Sequence, residues 1–320
     1  MSAPNPATVE LRRTVRPWLT NLPAYSKILV GVSGGADSMA LAVVIKLEAE
    51  NLNLELIPVI VDHGLQENSD LIAKDVVAKL KKLGFSEVFQ ANAQVTVTDG
   101  LESSARRARY QIFNQAIDTF GATNFFLAHT ENDQAESVLL GLARGSGTKS
   151  LSGMAEVNGL FIRPLLATSR AQTVAVCAEN GIEYWQDPHN QNEEFTRVRV
   201  RKNILPLMED QIGPGIISAL ARSARILRED SNALDLLAEQ YLSNKDVRDL
   251  EIAPLLELPK AIRSRVLRSA IYSVGAPAGS ISADHLAPIE ALVTDWRGQG
   301  PTSLPGGVKV ARISGRLSLS

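Results

Sequence analysis

The sequence predicts an α/β fold: a parallel sheet with helices on both faces, followed by a smaller, mainly helical C-terminal domain that ends in a β-hairpin. Apolar, β-branched segments alternate with segments of helical period up to about residue 212, which is typical of a parallel sheet. Beyond that point helical periods dominate, and the glycine-rich end of the chain (304–320) is typical of a closing hairpin. We therefore expect two domains, residues 1–212 and residues 213–320.

The first strand is predicted at Ile28–Val32, where apolar residues run continuously as in a buried strand. It leads through Ser33–Ser38 into a helix whose apolar residues, from Met39 to Leu47, would face a sheet. Further strands are predicted at 54–64, 87–93 and 124–130, and further helices at 69–83, 101–120 and 132–144. Another strand and helix pair is predicted through 161–181 and 182–188.

The second predicted domain begins with one long amphipathic helix over residues 213–242. Two more helices are predicted at 254–274 and 284–294, before the hairpin. Because open parallel sheets bind ligands at the carboxyl ends of their strands, we expect the functional residues there, in the first domain.

Composition limits the classes of protein that this chain can belong to. The charged fraction of 21% and the lack of an apolar run near the roughly 20 residues of a membrane span favour a globular protein. The first residues carry several charges and no apolar core of a signal peptide, so we expect a cytoplasmic protein. The single cysteine, Cys177, excludes an intramolecular disulfide, and the net charge of −2 means that any nucleic acid must meet a local basic patch.

The segment Ser33–Ser38, SGGADS, joins the first strand to its helix and predicts a phosphate-binding loop. Its two glycines let the backbone approach an anion, and the N–H groups of the first helical turn point toward it. Asp37 would repel a phosphate unless a divalent cation lay between them, so we expect Mg²⁺ with a nucleotide. The alternative is an ordinary turn in which serine and aspartate cap the helix.

Three further groups lie where strands end or helices begin. Asp62 and His63 end the second strand and are expected to line a nucleoside pocket, although a simple turn is the alternative. Arg109 shares a helix flank with Arg106, close to where phosphates would lie, with a solvated face as the alternative. A third group follows the fourth strand and consists of His129, Asp133 and Glu136, for which helix capping explains only part of the set.

Basic residues suggest two other roles. Arg144 and Arg163 are expected to stabilise negative charge as a pyrophosphate leaves. Arg197, Arg199 and Arg201 alternate, so they would share a face on a strand but diverge on a helix; contact with a phosphate backbone competes with an exposed basic edge. In the second domain Arg265 and Arg268 lie in a stretch without acids and offer a further nucleic-acid contact, against a solvated helix face.

The loop SGGADS resembles the SGGxDS signature of the PP-loop ATP pyrophosphatases, which cleave ATP between its α- and β-phosphates. The rest of the chain resembles one branch of these enzymes, the tRNA(Ile)-lysidine synthetases, over nearly its whole length. The motifs stand in the order of that family: VDHGL (61–65), ARRARY (105–110), AHTENDQAESVLLGLARGSG (128–147), LSGM (151–154), IRPLL (162–166) and WQDPHN (185–190). The tail with LPGGVKVAR resembles the short form of the family.

The resemblance implies an adenine nucleotide alpha hydrolase-like sheet and the ligation of L-lysine to C2 of the wobble cytidine in the CAU anticodon of an isoleucine tRNA, through an adenylated cytidine. It implies these residues for ATP: Ser33, Gly34, Gly35, Ala36, Asp37, Ser38, Asp62, His63 and Arg109. The catalytic set implied is Asp37, His129, Asp133, Glu136 and Arg144, with Asp37 and Asp133 as Mg²⁺ ligands. Arg197, Arg199, Arg201, Arg265 and Arg268 are the implied tRNA contacts, and a homodimer is one assembly that the sequence leaves open.

Three positions depart from the family pattern. Asn132 stands where the family usually has an acid, Gln66 where it often has arginine, and Ser137 where threonine is usual. Three alternative functions remain: a tRNA thiolase, which usually carries paired or persulfide cysteines; an amidating synthetase with small substrates; and a nucleotide sensor without enzymatic activity. The products formed from ATP distinguish an enzyme from a sensor, and the amine that is used distinguishes the enzymes.

Overall fold

The computed structural model describes residues 5–64, 69–96, 100–145, 147–187 and 192–320, except the side chains of residues 101 and 102. The chain divides into two compact units between Ile226 and Leu227. The predicted domain boundary at residues 212 and 213 lies earlier, in front of the long helix that contains this division. Each unit has its own apolar core.

A six-stranded sheet forms the centre of the first unit. Its strands are β1 (Lys27–Gly31), β2 (Glu55–Asp62), β3 (Phe89–Asn92), β4 (Asn124–Phe126), β5 (Val157–Asn158) and β6 (Phe161–Ile162), in the order β3-β2-β1-β4-β6-β5. All neighbours pair in parallel except the edge strand β5, which is antiparallel to β6. The predicted parallel sheet is confirmed.

Helices cover both faces of this sheet. They are α1 (Pro6–Leu19), α2 (Ala36–Leu52), α3 (Ser69–Lys82), α4 (Leu101–Phe120), α5 (Glu131–Ala143), α6 (Thr148–Leu151), α7 (Arg170–Glu179), α8 (Thr196–Arg199) and α9 (Leu205–Gln211). Successive side chains of a strand point to opposite faces. Accordingly Ile28 and Val30 pack with α1, α2, α3 and α7, whereas Leu29 packs with Phe113 and Ile117 of α4 on the other face.

Two features of this unit differ from the sequence prediction. Helix α1 was not predicted, although Asn5 at its N-cap and Pro6 in its first turn are local signals of a helix start. The N–H groups of this first turn do not donate to the Asn5 side chain. They donate instead to the carboxylate of Glu179, at the end of α7: Ala7 N–H at 2.9 Å and Thr8 N–H at 2.8 Å. Residues 182–187 form no strand. The N–H of Trp185 donates to the carbonyl of Gly34 at 2.8 Å, so this segment lies against the loop Ser33–Ser38.

Helix α1 is also tied to α2 by a buried acid. Glu48 of α2 accepts hydrogen bonds from Arg12 Nε at 2.6 Å and from Arg16 Nε at 2.8 Å, and its side chain is 3% exposed. These arginine contacts lower the pKa of Glu48 against the opposing effect of burial. Helix α1 therefore holds α2 through Glu48 and α7 through Glu179.

The second unit is described by itself. Helix α10 (Ile216–Leu242) contains the division, and the elements after it are β7 (Asp249–Glu251), α11 (Ile252–Glu257), α12 (Lys260–Ser273), α13 (Ala283–Thr294), β8 (Thr302–Ser303), β9 (Lys309–Ile313) and β10 (Arg316–Leu319). The strands form an antiparallel sheet in the order β7-β10-β9-β8. The predicted hairpin is β9–β10, whose two-residue turn, Ser314 and Gly315, has positive φ at both positions.

The helix predicted over 254–274 is two helices. Leu258, between α11 and α12, has extended backbone angles (φ −73°, ψ 138°) because the ring of Pro259 disfavours a helical conformation for the residue before it. Within the part of the chain that the structure describes, every helix is too short or too polar to cross a lipid bilayer.

The contact between Glu48 and two arginines predicts a measurable share of the stability of the first unit. Replacing Glu48 by Gln leaves two guanidinium groups without a charged partner, and we expect the free energy of unfolding to fall by about 1–3 kcal/mol, measured by urea denaturation. Glu50→Gln is the control, because the Glu50 carboxylate is exposed and pairs only with Lys46 one turn away; it should change stability by less than about 0.5 kcal/mol. Equal effects would contradict this role for Glu48.

Candidate active site

The candidate site lies at the carboxyl ends of β1 and β4, which are neighbours in the sheet. The chain leaves β1 for β2 on one side, and reaches β4 on the other side only later, so the strand order reverses at this point. A crevice at such a reversal is where open α/β sheets bind ligands. The loop Ser33–Ser38 follows β1, and the segment with His129 and Asp133 follows β4.

Hydrogen bonds within the loop Ser33–Ser38 fix its conformation. Ser33 N–H donates to Ser38 Oγ at 3.1 Å, and the Ser38 hydroxyl donates to the carbonyl of Gly35 at 2.9 Å. Gly34 has φ +83°, and a Cβ there would lie 2.6 Å from Val76 Cγ2. Helix α2 begins after Gly35, which has no side chain to cap it, so the N–H groups of its first turn can serve an anion.

Asp37 lies in the first turn of α2 and contacts α7. The Thr173 hydroxyl donates to Asp37 Oδ1, and Arg170 donates to Asp37 Oδ2 at 3.3 Å. Burial raises the pKa of Asp37; the contacts with Thr173 and Arg170 oppose this change, and the nearby charge of Asp133 adds to it. The charge of Asp133 is thus close enough to Asp37 to affect its ionisation, next to the loop that is predicted to bind phosphate.

Asp133 caps its own helix and faces the crevice. Its Oδ2 accepts from the N–H of Thr130 at 2.9 Å, and its Oδ1 lies 3.3 Å from an Arg201 nitrogen. Burial opposes ionisation of Asp133, but His129, the Thr130 N–H and two arginines outweigh it and lower the pKa of this carboxyl. The capping role and the position in the site thus belong to the same side chain.

His129 is an uncharged imidazole at neutral pH. Burial, the largest cause, and the charges of Arg163 and Arg109 together lower the pKa of His129 to about 3 against the opposing charge of Asp133. Its Nδ1 is buried and has no hydrogen-bond partner among the described residues. A ring held neutral in this way is a weak base, and it can exchange a hydrogen bond with a substrate group without carrying a charge.

Glu136 is fully buried and bound to two arginines. Arg197 Nε donates to its Oε2 at 2.8 Å, and Arg201 donates to both of its oxygens. Arg197 and Arg201 are predicted RNA contacts, and in this structure both guanidinium groups are paired with Glu136. Helix α8 and the π turn after it (Val200–Ile204) direct these two arginines toward Glu136, while Arg199 diverges and donates to the carbonyl of Glu194 at 2.9 Å.

The residues expected at the nucleoside side lie near His129. Asp62 Oδ1 accepts from the N–H of Gly64 at 2.9 Å, which is the turn contact named as the alternative. Burial lowers the pKa of His63, and the Arg109 charge lowers it further. Arg109 has a lowered pKa because of burial, and its Nε has no partner among the residues that the structure describes. The buried charge of Arg109 beside the uncharged ring of His63 favours an anionic ligand.

Arg144 ends α5 and is exposed. It lines a cavity of about 600 Å³ together with Ser137, Met154 and Arg197. One wall of this cavity is anchored by Gln134, whose side chain makes hydrogen bonds of 2.8 and 2.7 Å to the backbone of Met154. Arg163 is buried and donates to Tyr110 Oη and to the carbonyl of Ala155, each at 3.0 Å, so it supports the site without facing the crevice freely.

The site contains residues that the sequence did not reveal. Arg170 and Thr173 begin α7, and the only signal for their position is the capping box formed by Ser169 and Gln172. Asn132, noted only as a departure from the family pattern, accepts the Arg170 N–H on its Oδ1 at 3.1 Å. Glu131 turns away from the site and accepts from the Ser218 hydroxyl at 3.0 Å.

In the second unit, the two predicted RNA contacts, Arg265 and Arg268, have different surroundings. Arg265 donates to Asp235 Oδ1 at 2.8 Å, so its charge is compensated within the protein. Arg268 is half-buried, and its Nε has no partner among the described residues. The motif residues Leu65, Gln66, Ser146 and Pro188–Asn190 lie outside the residues that the structure describes.

Comparison with known proteins identifies relatives over the whole chain. The family described as a PP-loop domain matches residues 7–208, and the TilS substrate binding domain matches residues 250–318. The tRNA(Ile)-lysidine synthase of Thermobifida fusca is 43% identical over 322 residues, 100% of this chain and 99% of that protein. That of Streptomyces coelicolor is 45% identical over 303 residues, 92% of this chain and 86% of that protein.

The fold is also found in a solved structure. The U34-tRNA thiolase NcsA from Methanococcus maripaludis, with its 4Fe-4S cluster, superposes with a TM-score of 0.59 at 19% sequence identity. The superposition covers 71% of this chain and 81% of that one. At this identity the likeness concerns the fold alone.

Replacing the two loop glycines is expected to affect different properties of the protein: stability for Gly34 and ATP binding for Gly35. Gly34→Ala combines a positive φ with a Cβ too close to Val76, and should lower the free energy of unfolding by about 1–3 kcal/mol in urea denaturation. Gly35→Ala adds a Cβ in ordinary contact, 3.6 Å from Ser33 Oγ, and should leave stability within about 0.5 kcal/mol. If the loop holds phosphates, Gly35→Ala still weakens ATP binding, which calorimetry measures; unchanged affinity would contradict close approach at this residue.

Proposed function

The chain belongs to the tRNA(Ile)-lysidine synthase family, and on that premise we propose that it ligates lysine to C2 of the wobble cytidine in the CAU anticodon of an isoleucine tRNA. The reaction consumes ATP, forms a C–N bond and releases AMP and pyrophosphate. The observation that supports this proposal most directly is the meeting of the anion-binding loop, Asp37, His129 and Asp133 at one sheet edge. Relatives of that name match the chain over its full length.

In the first step, the cytidine C2 oxygen attacks the α-phosphate of ATP, and the bond to pyrophosphate breaks. The N–H groups at the start of α2 and the loop Ser33–Ser38 bind the pyrophosphate end, where helix N-termini favour anions. His63, Asp62 and Arg109 line the nucleoside side. Arg144, exposed beside the 600 Å³ cavity, can bring its guanidinium group to the charge developing on the leaving group.

Asp37 and Asp133 fit a divalent cation. The charge of Asp133 raises the pKa of Asp37, and each carboxylate keeps oxygen lone pairs beyond its protein contacts. Oxygen ligands of this charge are what Mg²⁺ prefers. When bound, Mg²⁺ supplies positive charge that reduces repulsion between these carboxylates and the phosphates of ATP.

In the second step, the lysine ε-amine attacks C2 and AMP leaves with the former C2 oxygen. An amine with an ordinary pKa near 10.4 must first lose a proton. The pKa of about 3 makes His129 a weak base, so its neutral imidazole orients the amine by a hydrogen bond and the proton leaves to water. Asp133, whose oxygens contact Thr130 and Arg201, supplies a negative charge near His129 that can attract the lysine ammonium. Glu136 keeps both oxygens on Arg197 and Arg201, so its contribution is to position these arginines beside Asp133.

The RNA is held by local cations, since the net charge of −2 gives no general attraction. Arg268 lies in the part of the chain that matches a substrate binding domain. We place the enzyme in the cytoplasm, where ATP, lysine and tRNA meet. We propose a homodimer, which sedimentation with and without tRNA would test.

A tRNA thiolase is the strongest rival because its fold is similar. This sequence has one cysteine, and Cys177 is buried against the carbonyl of Ala36 with its Sγ at 3.4 Å. Burial raises the pKa of Cys177 to about 11, so its thiol is a poor ligand and a poor nucleophile. An iron–sulfur or persulfide mechanism therefore lacks its residues here.

The order of bond breaking gives the test of the function. With ATP and an isoleucine tRNA bearing CAU, and without lysine, we expect about one pyrophosphate per enzyme; adding lysine should release AMP and allow turnover. Omitting tRNA should abolish pyrophosphate release. Asp37→Asn should lower the rate by about 10²-fold. Pyrophosphate release that is independent of tRNA, or turnover with ammonia in place of lysine, would overturn the proposal.

The RNA contact predicts a change in salt dependence. Arg268→Ala should weaken tRNA binding and lower the slope of log affinity against log salt by roughly one unit, with ATP affinity unchanged. Arg297→Ala is the control, because Arg297 is 77% exposed and pairs with Asp295 in the same unit. Filter binding at several salt concentrations measures both. If the two variants behave alike, Arg268 does not contact the RNA backbone.

A further inference from the structure

We propose that Thr173 is a positioning residue of this reaction: its hydroxyl orients the Asp37 carboxylate toward the divalent cation, and Asn132 holds the helical turn that carries Thr173. The inference rests on the proposed role of Asp37. It adds two residues that lie outside the loop and on different helices, α7 and α5.

The first observation is the burial of the donor. The Thr173 side chain is wholly buried, and its Oγ1 donates to Asp37 Oδ1. The carbonyl of Arg170 lies 2.8 Å from the same oxygen, so the single hydroxyl proton has two acceptors. An ionised carboxylate is the stronger acceptor, because charge-assisted hydrogen bonds are roughly twice as strong as neutral ones. The hydroxyl thus favours the ionised and oriented form of Asp37.

The second observation is that the two oxygens of Asp37 are held unequally. Oδ1 is bound by the buried Thr173, whereas Oδ2 is 3.3 Å from Arg170, whose side chain is 46% exposed. The longer contact with a half-exposed guanidinium is the weaker of the two. Oδ2 is therefore the oxygen free to exchange its partner for a cation while Oδ1 stays in place.

The third observation explains Asn132. Its Oδ1 accepts the N–H of Arg170, the first residue of α7, and the N–H of its neighbour Glu131 donates to the carbonyl of Thr168 at 3.0 Å. Helix α5 thus holds the start of α7 at two points. An amide at this position supplies the acceptor without adding a third negative charge beside Asp37 and Asp133. With fewer carboxylates at the site, cation binding depends more on the orientation of Asp37.

The test measures cation binding without turnover. Mn²⁺ replaces Mg²⁺, α,β-methylene-ATP replaces ATP, and free Mn²⁺ is measured by electron paramagnetic resonance with the full-length protein. Thr173→Val removes the hydroxyl at nearly constant volume and should weaken Mn²⁺ binding by about tenfold. Thr173→Ser keeps the hydroxyl and should stay within about twofold of the parent. Excess Mg²⁺ should restore pyrophosphate release by Thr173→Val, because the loss lies in binding.

Asn132 gives a second pair of variants. Asn132→Ala removes the acceptor for the Arg170 N–H and should weaken Mn²⁺ binding in the same direction, while Asn132→Asp retains an acceptor and keeps α7 in place. If Thr173→Val does not fold, as circular dichroism would show, Thr173→Ala and Thr173→Ser replace it as a pair that differs by the hydroxyl. Mn²⁺ affinity that is equal in these two variants would overturn the inference.

Asp37→Asn separates this inference from the function on which it rests. If Asp37→Asn binds Mn²⁺ with the nucleotide as tightly as the parent, the cation role of Asp37 fails, and the role of Thr173 fails with it. If Asp37→Asn binds Mn²⁺ weakly and Thr173→Val binds it normally, only the positioning role of Thr173 is wrong. Weak binding by both variants, with recovery in Thr173→Ser, supports both.

Discussion

The architecture of the first unit depends on one buried contact, the hydrogen bond between Thr173 and Asp37. It joins the first turns of α7 and α2 at the point where the strand order of the sheet reverses. Helix α5 reaches the same point through Asn132. Three helices therefore begin within a short distance of one another, and each directs the positive end of its dipole toward the crevice. Such a convergence creates a site for anions before any side chain is considered.

The sign of the local charge around Arg109 and His129 is positive, whereas the net charge of the whole chain is negative. The protein is slightly acidic, yet Arg109 and His129 lie in an environment where further positive charge is unfavourable. Burial increases the effect, because water cannot screen the charges fully. A polyanionic ligand relieves this repulsion on binding. Local excess of cationic groups, and not net charge, therefore determines what the crevice attracts.

The sequence predicted what is determined locally. Apolar runs placed β1 and β2, and the glycines of the loop marked the turn into α2. Contacts between distant segments could not be predicted, because nothing local specifies the partner: Glu136 binds Arg197 and Arg201 from 61 and 65 residues away. These pairs decide whether an arginine is available to RNA. The capping of α1 by Glu179 could not be predicted for the same reason. The existence of α1, marked by Asn5 and Pro6, and the break at Pro259 are two features that local rules would have given.

The capping of α1 by Glu179 also has a consequence for synthesis on the ribosome. The two partners are 171 and 172 residues apart, so at 5–20 residues per second helix α1 emerges roughly 10 to 30 s before its cap. During that interval the apolar side chains of Leu11, Val15 and Leu19, buried in the finished protein, have no α7 to cover them. The nascent chain therefore exposes an amphipathic helix at its leading end, the kind of surface that chaperones bind, until most of the first unit has been translated.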